Sequence, residues 1–165
     1  MPIPDFVLRL REKVGTDLLW LPGVSGVVLD DDGRVLLGRR SDNGRWAVPS
    51  GILEPGEEPA IALVREVLEE TGVHAEVVAL TSVSSGDPIR YPNGDRAQYL
   101  DVGFLCRAVG GEAHVADDES TEVGWFDPDA LPETITEASV QWLQRARAWQ
   151  HGQQAGIDPQ PWFAR

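Results

Sequence analysis

The sequence predicts an α/β protein folded as a three-layer α/β/α sandwich. Strand-like runs, a helix, more strand-like runs and a closing helix follow one another along the chain. Both helical segments carry a broad apolar face that a sheet would have to cover. The length of 165 residues suits one domain with a substantial core. We read residues 1–17 as an N-terminal helix with its lead-in, 18–150 as the domain and 151–165 as a C-terminal tail.

Ile3, Phe6, Val7, Leu10 and Val14 keep helical spacing between Pro4 and Gly15, which predicts an amphipathic helix over 4–14. Its apolar stripe could pack on the domain or on a second subunit, so a homodimer is compatible with it. Leu18–Leu21 and Val24–Leu29 read as extended, interrupted at Pro22-Gly23. A turn at Asp30-Asp31-Asp32-Gly33 then returns the chain as a hairpin over Arg34–Arg40, and its three aspartates are read as solvated turn residues. Pro59 and Gly72 bracket the central helix, with Ala60, Ile61, Leu63, Val64, Val67 and Leu68 as its apolar stripe. Glu76–Ser84 and Tyr99–Arg107 read as strands, separated by a long excursion that turns at Pro92-Asn93-Gly94-Asp95. Gly110-Gly111 marks a further turn and Glu122–Phe126 a short strand. Thr134 with Glu137 forms a capping box, and Val140, Trp142, Leu143, Ala146 and Trp149 supply the apolar face of a helix ending near Gln150. In the polar tail, Pro161-Trp162-Phe163 is an apolar plug able to dock.

A formal charge of -13 argues against a nonspecific nucleic-acid binder, which needs a basic stripe. A phosphorylated small molecule is still compatible, because it would meet a few local arginines rather than the net field. Cys106 is alone, so an intramolecular disulfide and a cysteine zinc site are both excluded, and it reads as a small buried hydrophobe. Asp5, Arg9, Arg11, Glu12 and Lys13 break up the start of the chain, unlike a signal peptide. No apolar run reaches membrane-spanning length. The expectation is a cytoplasmic protein without membrane association. His74, His114 and His151 each lack a partner pattern and are read as structural.

The chemistry concentrates between Gly51 and Val73. Glu66 and Glu70 lie one helical turn apart with Glu69 beside them, so three carboxylates are expected to converge. Such like charges cost roughly 0.2–0.5 kcal/mol per pair unless a cation lies between them. Carboxylate oxygens suit a hard divalent ion, Mg²⁺ or Mn²⁺. A bare triplet of this kind is by itself an ordinary solvated helix face. The wider spacing is not ordinary: Gly51, Glu57, Arg65, Glu66, Glu69, Glu70 and Gly72 complete a seven-identity pattern, with a chance match of roughly one in 10⁸ per starting position.

This pattern is the Nudix box, and the chain resembles the Nudix hydrolases over roughly residues 18–150. The resemblance implies the α/β/α sandwich with a mixed sheet, and metal-dependent hydrolysis of a phosphoanhydride. It implies that Glu66, Glu69 and Glu70, joined by the Gly51 carbonyl, bind the metal. Arg65 and Glu57 would orient the site as an ion pair, with Glu57 also able to approach the metal. The proton acceptor is expected to be Glu69 or Glu119, with Asp118 and Glu122 behind the latter. In the segment before the box, Ser50 stands where the family carries a glycine. Trp46 there is read as core or pocket wall. Of Arg39 and Arg40, whose side chains alternate, at most one would reach a phosphate. Arg90 and Tyr91 on the excursion offer a cation for phosphate and a ring for a base. The leading substrate class is a nucleoside diphosphate linked to a second group, ADP-ribose or a nucleotide sugar. The alternative is a nucleoside triphosphate, oxidised ones included. A noncatalytic nucleotide-sensing module is a third reading, which the intact glutamates count against.

Overall fold

Pro4 has no backbone donor to leave unpaired, and it opens helix α1 (Asp5–Val14), which Gly15 ends. The computed structural model describes residues 3–164. After α1 come β1 (Leu18–Leu29), β2 (Val35–Arg40), β3 (Trp46–Ala47), β4 (Ser50–Ile52) and α2 (Pro59–Thr71). Next are β5 (Val73–Ser85), β6 (Ile89–Arg90), β7 (Arg96–Gly111), β8 (Ser120–Phe126) and α3 (Glu137–Gln154). The strands form one mixed sheet: β1 runs parallel to β7, while β1–β4, β5–β7, β6–β7, β2–β3 and β2–β8 are antiparallel.

Several local expectations need correction. β1 is continuous through Pro22-Gly23. Pairing with β4 starts only at Gly23, so the missing N–H of Pro22 falls where no ladder bond to β4 is due, and its carbonyl accepts from Leu53 N at 3.2 Å. The expected hairpin exists only at its base, where Leu29 faces Val35. Beyond that pair β1 stays with β7 and β4, while β2 leaves to join β3 and β8. The two groups splay apart and open a cleft.

The period of two along β1 divides the core. Val24 and Val28 face α2, packing with Leu63, Val67 and Phe104. Val27 faces α3, packing with Leu37, Leu105, Leu143 and Ala146. Helix α1 covers the start of the sheet on the domain itself, through Val7, Leu21 and Ala97. Between these groups Ser25 donates to Asp101 at 2.9 Å, and burial pushes the Asp101 carboxyl up to about 6.

The N-cap of α3 is Thr136, whose side chain accepts from Ser139 N, rather than Thr134 with Glu137. Thr136 is the residue with extended backbone directly before the first helical turn, which is what a cap requires. The helix continues past the expected end to Gln154. The tail does dock: Trp162 N donates to Thr81 O at 2.8 Å and Val83 N to Trp162 O at 3.0 Å. The indole also lies 3.8 Å below the Arg145 guanidinium. Part of the β5 edge is thereby closed. Gly110 and Gly111 belong to the end of β7 rather than to a separate turn. Among the described residues no helix is long and apolar enough to cross a membrane.

Candidate active site

Helix α2 supplies most of the site. Proline at its first turn suits a position whose amide would be unpaired, and Gly72 ends it in the left-handed region with its N–H on Leu68 O at 2.9 Å. The buried side of the helix differs from the predicted stripe. Ile61 is 65% exposed and Glu66 is 1% exposed. The spacing explains this, because Leu63, Glu66, Val67 and Glu70 lie on one side at steps of three and four.

Glu66 packs against Gly51 of β4, where any Cβ would collide with its carboxyl group. One Glu66 oxygen, Oε1, is buried without a hydrogen-bond partner, although it lies 3.0 Å from Arg65 Nη1. Burial pushes Glu66 up to about 7, with Arg65 opposing the rise and Glu69 adding to it. Burial likewise pushes Glu70 up to about 8, and the charges of Glu66 and Asp117 add to the effect. The backbone N–H of Ser50 donates to Glu70. A donor of that kind needs no glycine, so the departure at Ser50 leaves this contact intact.

Arg65 holds Glu57 with two parallel bonds, Nε to Oε1 at 2.9 Å and Nη2 to Oε2 at 3.0 Å. The hydrogen bonds from Arg65 keep Glu57 below its ordinary value. Arg65 Nη1 also bonds Glu69 Oε2 at 3.0 Å. Glu69 is exposed, and its Oε2 shares Arg65 Nη1 with Glu66 Oε1, each at 3.0 Å. Of the three carboxylates expected to converge, Glu66 is buried, Glu70 half-buried and Glu69 exposed. Among the described residues no three histidine, cysteine or carboxylate side chains gather closely enough to enclose an ion.

The donor chemistry nevertheless fits a hard divalent cation. A buried carboxylate oxygen lacks a hydrogen bond, a second carboxylate follows one turn on, and the charge of Glu66 adds to the raised proton affinity of Glu70. A cation between them would relieve both penalties. Glu66 and Glu70 are the residues whose surroundings fit such an ion.

The cleft beside Glu70 encloses about 250 Å³ and is lined by Arg40, Asp42, Ser50, Glu119 and Ser120 among others. Arg40 is clamped by Asp42 through Nε to Oδ1 at 2.9 Å and Nη2 to Oδ2 at 2.7 Å. That pairing lowers the proton affinity of Asp42. Glu119 is half-buried on the loop leading into β8, and its carbonyl accepts from Ser41 N at 2.7 Å.

The other predicted contacts disperse. Arg39 pairs with Glu122 and Gly44 O, away from the lining of the cleft. Trp46 is core, edge-on to Phe126 with ring centres 4.7 Å apart, so it is not a wall of this cleft. Arg90 is exposed on β6, opposite Arg96. Tyr91 is half-buried and shares a 2.9 Å hydroxyl bond with Tyr99 over the α1 cluster. Asp118 is exposed. His114 is structural, as read: its ring fills the space beside Gly72, and its N–H donates to Thr71 O at 3.0 Å. Sequence reasoning missed Asp42, Asp117 and Ser120. The only signal for Asp42 was its place two residues after Arg40, and nothing in the sequence marks the other two.

The α/β sandwich thus buries Glu66 against Gly51 and places Glu70 one helical turn on, at the lip of a polar cleft. The chain belongs to the Nudix family, whose NUDIX domain model matches residues 19–146, and that places it among the Nudix pyrophosphohydrolases. It is 42% identical over 114 residues to a MutT-like protein of Streptomyces ambofaciens, covering 69% of this chain and 68% of that one. The human 8-oxo-dGDP phosphatase NUDT18 is 33% identical over 158 residues, 87% of this chain and 44% of its own length. This chain thus spans less than half of that relative. An ADP-ribose pyrophosphatase of Methanocaldococcus jannaschii is 36% identical over 108 residues, 64% of this chain and 61% of that one. Among solved structures, the MutT NUDIX hydrolase from Burkholderia pseudomallei superposes with a TM-score of 0.65 at 30% identity, covering 77% of this chain and 98% of that one.

Proposed function

We propose that this chain hydrolyses the phosphoanhydride of a nucleoside diphosphate linked to a second moiety, ADP-ribose or a nucleotide sugar, with Mg²⁺ or Mn²⁺ as cofactor. The observation that carries the reading is Glu66, buried against Gly51 with one oxygen lacking a hydrogen bond, and Glu70 one turn on at the edge of the cleft. Bound there, a divalent ion would neutralise phosphate oxygens and acidify a water. Glu66, Glu70 and the Gly51 carbonyl would hold it. Arg65 fixes the helix face by gripping Glu57 and Glu69, so Glu57 acts through Arg65 rather than on the metal. Glu119 takes the proton, because it lines the cleft beside Glu70 while Glu69 is engaged with Arg65. Arg40 orients a phosphate from the cleft wall, where Asp42 holds it in one position.

A cleft of about 250 Å³ is smaller than the roughly 300–1,000 Å³ that encloses a whole drug-sized ligand, and it suits one part of a two-part substrate. The relative from M. jannaschii, an ADP-ribose pyrophosphatase, supports this class. A second reading, a nucleoside triphosphate cleaved to monophosphate and pyrophosphate, is favoured by a putative 8-oxo-dGTP diphosphatase of Bacillus subtilis, 32% identical over 114 residues.

The test is chromatographic identification of products from a nucleotide panel with Mg²⁺ and then Mn²⁺. AMP with ribose 5-phosphate from ADP-ribose is the expected result, and pyrophosphate release from triphosphates alone would select the second reading. Glu70→Gln should lower turnover by more than the roughly 10–100-fold typical of changes around a metal's ligands. Unchanged turnover in that variant would remove the metal assignment.

A further inference from the structure

The cleft beside Glu70 has an unusual lining for a nucleotide enzyme. Its walls are hydroxyls, carboxylates, a guanidinium and small aliphatic groups, and none of the lining residues is aromatic. A nucleobase offers a flat π face, and stacking on a ring or an apolar wall is the usual means of holding it. Trp46, the aromatic residue adjoining the cleft in sequence, is turned into the core against Phe126. We propose that this cleft takes the non-base half of the substrate, a hydroxyl-bearing sugar, and that Asp42 and Ser120 read its hydroxyl groups. The proposal rests on the hydrolase reading above and assigns one of its two substrate halves to a place.

Asp42 and Glu119 are acceptors, while the hydroxyls of Ser41, Ser50 and Ser120 both give and accept, so the lining matches a group rich in O–H donors. Asp42 spends one donor-facing edge of each oxygen on Arg40, and a carboxylate has further lone pairs for sugar hydroxyls. Ser120 stands directly over Gly38, where an added Cβ would come within 2.7 Å of its Oγ. A side chain at position 38 would consequently displace the Ser120 hydroxyl from the cleft. The same guanidinium that Asp42 holds lies within electrostatic range of Glu70, so the sugar and the adjoining phosphate are addressed from one wall.

Kinetics of the Mg²⁺-loaded protein with ADP-ribose and with a nucleoside triphosphate test this, in wild type, Asp42→Asn and Ser120→Val. Each variant should raise KM for ADP-ribose about three- to tenfold, as expected for one hydrogen bond, with the larger part of the effect in KM rather than kcat. In Ser120→Val the KM for the triphosphate should move by less than about twofold, since a triphosphate has no second sugar to meet that hydroxyl, whereas Asp42→Asn should weaken both substrates because it also frees Arg40. Ribose 5-phosphate should inhibit wild type competitively and inhibit both variants more weakly. An equal or larger rise for the triphosphate in Ser120→Val would show that the cleft holds the nucleoside, and no rise for either substrate in that variant would remove the subsite. ADP-ribose binding by calorimetry separates this proposal from the hydrolase reading. Without turnover, weaker binding to both variants would still support the subsite, whereas equal binding, or none to wild type, would overturn it.

Discussion

Gly51 and Glu66 fit together as a glycine and the side chain that occupies its missing Cβ. Gly51→Ala would force the Glu66 carboxyl out of its pocket, or β4 away from α2. Overpacking of this kind costs about 1–3 kcal/mol, so urea unfolding should show a loss in that range, with hydrolysis falling as well. A stable variant with normal turnover would mean that the contact is loose. The seven-identity pattern singles out Gly51 and Glu66, but the burial of each residue is not legible in it. Glu66, Glu69 and Glu70 look alike in the sequence. Their different environments come from Arg65, which draws Glu69 outward, and from Gly51, which admits Glu66 to the core. Asp42 and Ser120 were invisible because their roles depend on where β2 and β8 meet.

Helix α2 and the loop after β7 work as one unit. His114 N donates to Thr71 O, Ala116 N donates to Glu70 O, and the His114 ring occupies the side of Gly72. Gly72→Ala would place a side chain at φ +70 and into that ring, costing at least about 1 kcal/mol from the left-handed backbone alone. Because the strap carries Asp117 toward Glu70, the variant should lose activity as well as stability. Thr136→Ala at the head of α3 makes a useful contrast: about 1 kcal/mol lost with kcat unchanged, since that cap lies outside the cleft. Thermal melts beside turnover measurements distinguish the two. The long elements were legible because a period of 3.6 or two is sustained over many residues, as in α2 and β7. β3, β4 and β6 have only two or three residues each, too few to show any period.

Across the whole molecule, the charge of -13 and the raised carboxyl groups act in the same direction. Glu66 at about 7 and Glu70 at about 8 retain protons in the folded chain at pH values where the unfolded chain, near 4.5, has released them. Their penalty is absent below that unfolded value and grows as pH rises through 7 and 8, so metal-free protein becomes less stable toward alkaline pH. Asp101, raised to about 6, contributes with the same sign over a lower window. Glu57 and Asp42, both lowered, oppose it only in acid, below the ordinary carboxylate range. The melting temperature of chelator-treated protein should therefore fall by at least about 2 °C between pH 5.5 and 8.5, and added Mg²⁺ should recover more at the upper end. A melting temperature that rises with pH in the absence of metal would contradict the burial of these two acids.

The most direct measurement is Mn²⁺ binding followed by electron paramagnetic resonance at pH 7.5, comparing wild type with Glu66→Gln, Glu70→Gln and the double variant. A site in wild type that is weakened in each single variant and absent in the double variant is the expected result. Equal Mn²⁺ affinity in all four proteins would contradict the assignment of Glu66 and Glu70 as the metal-holding pair.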